Sequence, residues 1–256
     1  MTYFEVVLLS FIEGVTEFLP ISSTGHLIIA ANLFGIHKNE FVISFNIIIQ
    51  FGAILSVLVL YWRRFLQSFL IYKNLFIAML PVAVLGLLVK DTINLVLSSP
   101  LIVACGFIVG GVVLIWSDKY FANEQSGQSV DKLKPKNSLL IGVIQCCAFI
   151  PGVSRAASAI LGGLFVGLSR KEATEFSFFL AVPTLAGAAL IKFSEVLPTI
   201  TQEQIGLLSL GLVCSFIFAI LAIRFLLGVV SRFGFKYFGY YRIVLGIIII
   251  GFQMRP

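Results

Sequence analysis

The sequence predicts an all-α polytopic membrane protein: six transmembrane helices and two re-entrant helical hairpins, arranged as an inverted repeat. Three observations lead there. Hydrophobic residues make up 59% of the 256-residue chain and charged residues 12%, with a mean hydropathy of +1.05, a usage of membrane proteins and not of soluble domains. Apolar runs recur at close to the ~20 residues that a helix needs to cross a hydrocarbon core. Two shorter apolar segments are broken at Pro20 and Pro151, and irregular backbone is tolerated at membrane depth only inside protein or along a wet cavity.

Residues 3–12 are apolar apart from Glu5 and can cross only half of the core. Pro20 stops the helix, Ser22 or Ser23 can cap a new one, and 27–36 is again too short to span. Together 3–36 form the first hairpin. Full spans follow at 41–62, 69–89 and 97–116. Residues 117–137 form a polar loop that carries Lys119, Lys132, Lys134 and Lys136 and a flexible Gln/Ser/Gly-rich piece. The half-helices 139–150 and 156–168 flank Pro151-Gly152 as a second hairpin, and spans at 173–193, 205–230 and 239–253 complete the chain. The organisation is thus one membrane domain over 1–256, with a first repeat at 1–116 and a second at 138–256.

Basic residues set the orientation. Arg63, Arg64 and Lys73, the lysines of 117–137, and Arg232 with Lys236 place loops 63–73, 117–137 and 231–238 in the cytoplasm. Loops 90–99 and 194–204 then lie outside, as do both termini. The first hairpin dips in from the outer face and the second from the cytoplasmic face. The net charge of +6 is spread over loops and helix ends, so no basic stripe supports a nucleic-acid partner. Cys105, Cys146, Cys147 and Cys214 sit in apolar segments with no metal-site spacing. Glu5 interrupts the opening of the chain, so no removable signal peptide is expected.

The halves resemble each other at an offset of 131 residues. Phe18-x-Pro20-x-x-Ser23 aligns with Phe149-x-Pro151-x-x-Ser154, and Phe45 with Phe176. Broken helices of an inverted repeat meet near the membrane midplane, so Ser23 and Ser154 are expected to face one cavity.

The chemistry is concentrated at those breaks. A half-helix starting at a serine cap offers free N–H groups and the positive end of its dipole to an anion. Ser22, Ser23, Thr24 and Gly25 on one side, and Gly152, Ser154 and Arg155 on the other, therefore suit a phosphate or diphosphate, and the arginine fork fits its oxygens. Glu13 and Glu17 share a helix face. Two carboxylates that close either share a proton or hold a hard divalent cation, unless they merely cap backbone amides. His26, three residues after Ser23, is either a satisfied structural group or an acid–base residue. Gln50 is a polar amide inside a span and is placed near the site. His37 is read as interfacial, Glu172 and Glu175 as the charged start of a helix, and Arg224 as a mid-span cation with an internal partner.

These residues carry a resemblance. Glu-Gly-Val-Thr-Glu-Phe-Leu-Pro-Ile-Ser-Ser-Thr-Gly-His (13–26) and Pro-Gly-Val-Ser-Arg (151–155) resemble the two signature motifs of the undecaprenyl-diphosphate phosphatase family, the bacitracin-resistance type. The likeness extends to Ile49–Ile54 and Glu175–Pro183. It implies an enzyme of the bacterial plasma membrane that removes the terminal phosphate of the C55 prenyl diphosphate and so regenerates a carrier lipid for peptidoglycan. It also implies a divalent cation (Mg²⁺ or Ca²⁺), a glutamate pair, a Ser/His couple and a phosphate-clamping arginine.

The expected route is attack by Ser23, activated by Glu17, on the terminal phosphorus, with Arg155 holding the diphosphate, the cation bridging to Glu13 and Glu17, and His26 assisting proton transfer. His26 or a water as the nucleophile stays open. The site is expected to face outside, and a homodimer is allowed for. Where relatives commonly continue after the arginine with Ser-Gly-Ala-Thr, this chain has Ala156-Ala157-Ser158-Ala159, so altered phosphate binding is expected. The rival readings are a secondary transporter or lipid flippase, whose folds also use inverted repeats and broken helices, and a structural scaffold, which has no need of an intramembrane Glu-Glu-Ser-His cluster.

Overall fold

The computed structural model describes residues 1–67, 69–96, 100–121 and 129–253, and for 90–96 the backbone alone. Among the described residues the regular structure is helical, with no strand. Helix α1 (Tyr3–Thr16) opens on a capping box between Thr2 and Glu5, and α2 (Ser23–Leu33) follows the break at Pro20. Next come α3 (Glu40–Ile48), capped by Asn39, and α4 (Gln50–Leu60). The expected span 41–62 is therefore two helices joined at Ile49, where the Gly52 N–H closes a tighter turn onto the Ile49 carbonyl (3.0 Å). There α4 meets α11 (Gln202–Phe233) so closely that a Cβ on Gly52 would overlap the Leu212 carbonyl.

Helix α5 (Trp62–Gln67) occupies part of the expected loop 63–73, and α6 (Phe69–Val96) runs through most of the expected outer loop 90–99. That loop shortens because residues 90–96 contain neither Pro nor Gly. The first helix breaker is Pro100, at the first position of α7 (Pro100–Tyr120). The Gln/Ser/Gly-rich piece of the polar loop lies at 122–128, outside the described residues. Then come α8 (Pro135–Gln145), a 3₁₀ turn at Cys146–Phe149, α9 (Arg155–Phe165), α10 (Arg170–Val196), α11 and α12 (Lys236–Gln253).

The chain is a multi-pass membrane protein. Among the described residues five helical stretches are long and apolar enough to cross a bilayer: Glu40–Leu60, Phe69–Val89, Pro100–Tyr120, Arg170–Val196 and Gln202–Phe233. The sixth expected span lies in α12, which is 18 residues long and carries Arg242 within its apolar run.

In an apolar solvent helices associate through close packing of small residues, and the glycines show where. Helix α1 lies along α11, with Gly14 against the Ser215 carbonyl; α8 lies along α6, with Gly142 against the Ala78 carbonyl. Helices α7 and α12 meet at Gly111 and Gly239, each against the other's carbonyl. Each short helix preceding a break thus packs on a helix of the other half. Phe18, beside the first break, stacks edge-on against Phe178 of α10 (5.3 Å) in the main core. At one end of the bundle Asp118 accepts from the Phe235 and Lys236 N–H groups (2.7 and 2.8 Å), pairs with Arg170 (3.1 Å), and so caps α12. Glu172 marks the start of α10, as expected, and accepts from the Val130 N–H (2.9 Å).

Candidate active site

Both breaks are built alike. Ser22 caps α2 by accepting from the Gly25 N–H, and Ser154 caps α9 by accepting from the Ala157 N–H (3.4 and 3.2 Å). These serines are the two non-glycine residues with positive φ among the described residues, at 69° and 80°. Strained backbone of this kind persists where surrounding structure enforces it, characteristically at functional sites.

The cap geometry corrects the alignment of the halves. Pro20 and Pro151 are 131 apart, but the caps Ser22 and Ser154 are 132 apart, because the second break carries one more residue. Ser154 therefore corresponds to Ser22, and Ser23 corresponds to Arg155, each being the first residue of its helix. Both reach the same carboxylate. Ser23 Oγ donates to Glu17 Oε2, and Arg155 Nη2 donates to Glu17 Oε1 (2.9 Å). The pair is shielded, with the Glu17 side chain 4% and the Arg155 side chain 14% exposed. Arg155 Nη1 also donates to the carbonyl and hydroxyl of Ser177 (2.8 and 3.4 Å).

Glu13 lies one turn before Glu17 and is fully buried, and neither of its carboxylate oxygens has a hydrogen-bond partner among the described residues. Among those residues no group of three or more His, Cys, Asp or Glu side chains is placed to hold a metal ion by itself. Two carboxylates alone do not complete the six or more oxygens that Mg²⁺ or Ca²⁺ takes. They fit an ion that also binds substrate phosphate oxygens and water, a common arrangement for Mg²⁺.

The expected Ser23–His26 couple is not formed. His26 Nδ1 donates to the Ser22 carbonyl (2.8 Å), which leaves Nε2 as acceptor from the Tyr241 hydroxyl (2.7 Å). The two rings stack within 2° of parallel. The bond from Nδ1 back to Ser22 holds the imidazole against α12, and Nε2 faces an apolar groove of about 750 Å³ lined by Thr16, Leu19, Ile21, Phe225 and Tyr241.

The other sequence candidates divide. The N–H groups of Ser23 and Thr24, and of Arg155 and Ala156, find no acceptor among the described residues and remain open to an anion. Thr24 is exposed. Gly25 spends its N–H on Ser22, and a Cβ there would press on the Phe107 ring (2.7 Å). Gly152, at φ 87°, sits against the Val103 carbonyl. Both glycines thus serve close packing. Gln50 is half-buried at the start of α4 and makes no hydrogen bond to these groups. Arg224 is exposed on α11 with no internal partner among the described residues, against expectation, because its side of the helix faces outward. Ala156, Ala157, Ser158 and Ala159 are all buried in α9.

Sequence reasoning passed over Ser177, Tyr241 and Arg242. Ser177 lies in the stretch Glu175–Pro183, which the resemblance had already marked. Arg242 is a cation in an apolar run, the same signal that drew attention to Arg224.

Comparison with known proteins agrees with the motifs. The family described as "Bacitracin resistance protein BacA" matches residues 6–248. An undecaprenyl-diphosphatase of Bdellovibrio bacteriovorus is 51% identical over 251 residues, covering 98% of this chain and 95% of the relative. One from Flavobacterium psychrophilum is 47% identical, covering 98% and 95%, and one from Aquifex aeolicus is 39% identical, covering 98% and 99%.

Proposed function

The chain belongs to the bacitracin resistance protein BacA family, and from that premise we propose how it removes the terminal phosphate of undecaprenyl diphosphate. The observation that carries the reading is the convergence of Ser23 and Arg155 on Glu17. A hydroxyl held on a carboxylate is a nucleophile with its base in place, and a guanidinium beside it is a phosphate clamp.

On binding, the diphosphate takes Arg155 from Glu17 and lies across the open N–H groups of α2 and α9. Ser23 Oγ attacks the terminal phosphorus and passes its proton to Glu17. The bond from that phosphorus to the bridging oxygen breaks, and the lipid monophosphate leaves with that oxygen, which takes the proton from Glu17. Water then attacks the phosphoserine and gives a proton to Glu17; the bond from phosphorus to Ser23 Oγ breaks, inorganic phosphate leaves, and Glu17 returns that proton to Oγ. Glu13 and Glu17 would hold a Mg²⁺ or Ca²⁺ ion, which when bound would neutralise charge developing on the phosphate oxygens. The apolar groove at His26 suits the first units of the prenyl tail.

The enzyme is read as lying in the bacterial plasma membrane with six spans and two re-entrant hairpins in an inverted repeat, its site open to the outer side. The exchange of partners between halves, α1 on α11 and α8 on α6, supports that plan. A transporter reading has no observation of its own. Phosphate release from a long-chain prenyl diphosphate by protein purified in detergent, with mapping of a trapped phospho-enzyme, tests the scheme. Full turnover by Ser23→Ala would rule out the serine route.

A further inference from the structure

Arg242 of α12 is fully buried, and its guanidinium donates to four main-chain carbonyls. Nη1 bonds Pro20 (3.0 Å), and Nη2 bonds Gly106 (3.0 Å), Gly152 (2.8 Å) and Val153 (3.0 Å). Pro20 lies in the first break, Gly152 and Val153 in the second, and Gly106 on α7. No carboxylate pairs with this guanidinium among the described residues, so carbonyl dipoles alone meet its charge. An apolar side chain of equal volume could fill the space but could not tie these carbonyls together.

We propose that Arg242 is a positioning residue for the phosphatase reaction: it fixes the two breaks relative to each other, so that Ser23 from one and Arg155 from the other meet at Glu17. Three features of the geometry support this. The carbonyls it holds precede the strained cap serines, Pro20 by two residues from Ser22 and Val153 immediately before Ser154. The C=O and N–H of a trans peptide point in opposite directions, so turning the Val153 carbonyl onto Arg242 turns the Ser154 N–H away from it. The breaks are irregular backbone between short helices, so no continuous helix fixes one against the other. The proposal rests on the reading of Glu17, Ser23 and Arg155 as the site.

Gly110 provides a way to move the guanidinium without removing it. A Cβ at Gly110 would overlap Arg242 Nη2 and come within 2.6 Å of Cζ, so Gly110→Ala must push the guanidinium off its carbonyls.

The test measures phosphate release from a long-chain prenyl diphosphate in detergent, together with thermal melting. The wild type is compared with Arg242→Met, Arg242→Lys, Gly110→Ala and the double variant Gly110→Ala/Arg242→Lys. In Arg242→Met and Gly110→Ala, kcat should fall about a hundredfold, as a misplacement of about 1 Å does, while KM should change by a smaller factor because Arg155 itself is retained. Arg242→Lys should recover part of the kcat lost in Arg242→Met. The double variant should be no worse than the poorer single one, since both changes act on one set of bonds.

A residue that only stabilises the fold would lower yield and melting temperature and leave the kcat of the folded fraction intact. A kcat within threefold of wild type in folded Arg242→Met or Gly110→Ala overturns the proposal, as does a double variant whose losses multiply. If Arg242→Met does not fold, Gly110→Ala, which keeps the charge, decides. A wild type that releases no phosphate would instead overturn the reading of the site.

Discussion

The two broken helices do the same structural work with different chemistry. Each ends its first helix ahead of a proline, turns through a serine with positive φ and starts a new helix on that serine's hydroxyl. The first helical residue is then Ser23 in one and Arg155 in the other, in the proposed scheme the nucleophile and the clamp, and both touch Glu17. The two breaks offer matching cap positions, and in the proposed scheme the different residues that follow them make one site. A single extra residue in the second break accommodates the left-handed Gly152.

If the breaks share one carboxylate, Glu17→Gln should be the most damaging single change. It removes the base and the arginine's partner together, and a loss of about 10³-fold or more in kcat is expected from groups of this kind; a loss under tenfold would mean that the breaks act separately. Next come the two divergent residues, which should fail differently. Ser23→Ala should depress kcat and abolish any trapped phospho-enzyme, whereas Arg155→Ala should mainly raise KM. Arg155→Ala also strands a buried carboxylate, so melting should show a destabilisation on the order of 3 kcal/mol.

Removal of divalent ions by a chelator should lower turnover by at least about tenfold, restored by Mg²⁺ or Ca²⁺, and Glu13→Gln should weaken that restoration. Chelator-insensitive turnover would remove the cation from the scheme. The smallest effects should come from the features that the breaks have in common. Ser22→Ala and Ser154→Ala should each cost about 1 kcal/mol of stability as lost helix caps, by similar amounts, measured as paired shifts in melting temperature.

Much of the fold was legible because span length and proline breaks are local properties. The Glu17, Ser23 and Arg155 cluster was legible because charge within an apolar run is conspicuous. What was hidden depends on tertiary geometry. The sequence shows two arginines in late apolar segments, and only helix packing decides that Arg242, on α12 against α7, is buried while Arg224, on α11, faces outward. His26 finds its partner Tyr241 at a separation of 215 residues, which no local pattern reports. The register slip was invisible because matching prolines and serines aligned well at an offset one residue short for the caps. The loop expected at 90–99 was read from its polarity, although its residues contain no helix breaker before Pro100.

The Arg155–Glu17 bond also bears on what leaves the enzyme. Before any lipid arrives the arginine already has an anion, so a headgroup is held only if its charge competes better than the internal carboxylate. A diphosphate brings more negative charge to that exchange than a monophosphate does. In the proposed scheme, once the terminal phosphate has been removed, Glu17 reclaims Arg155 and release of the product is favoured over retention.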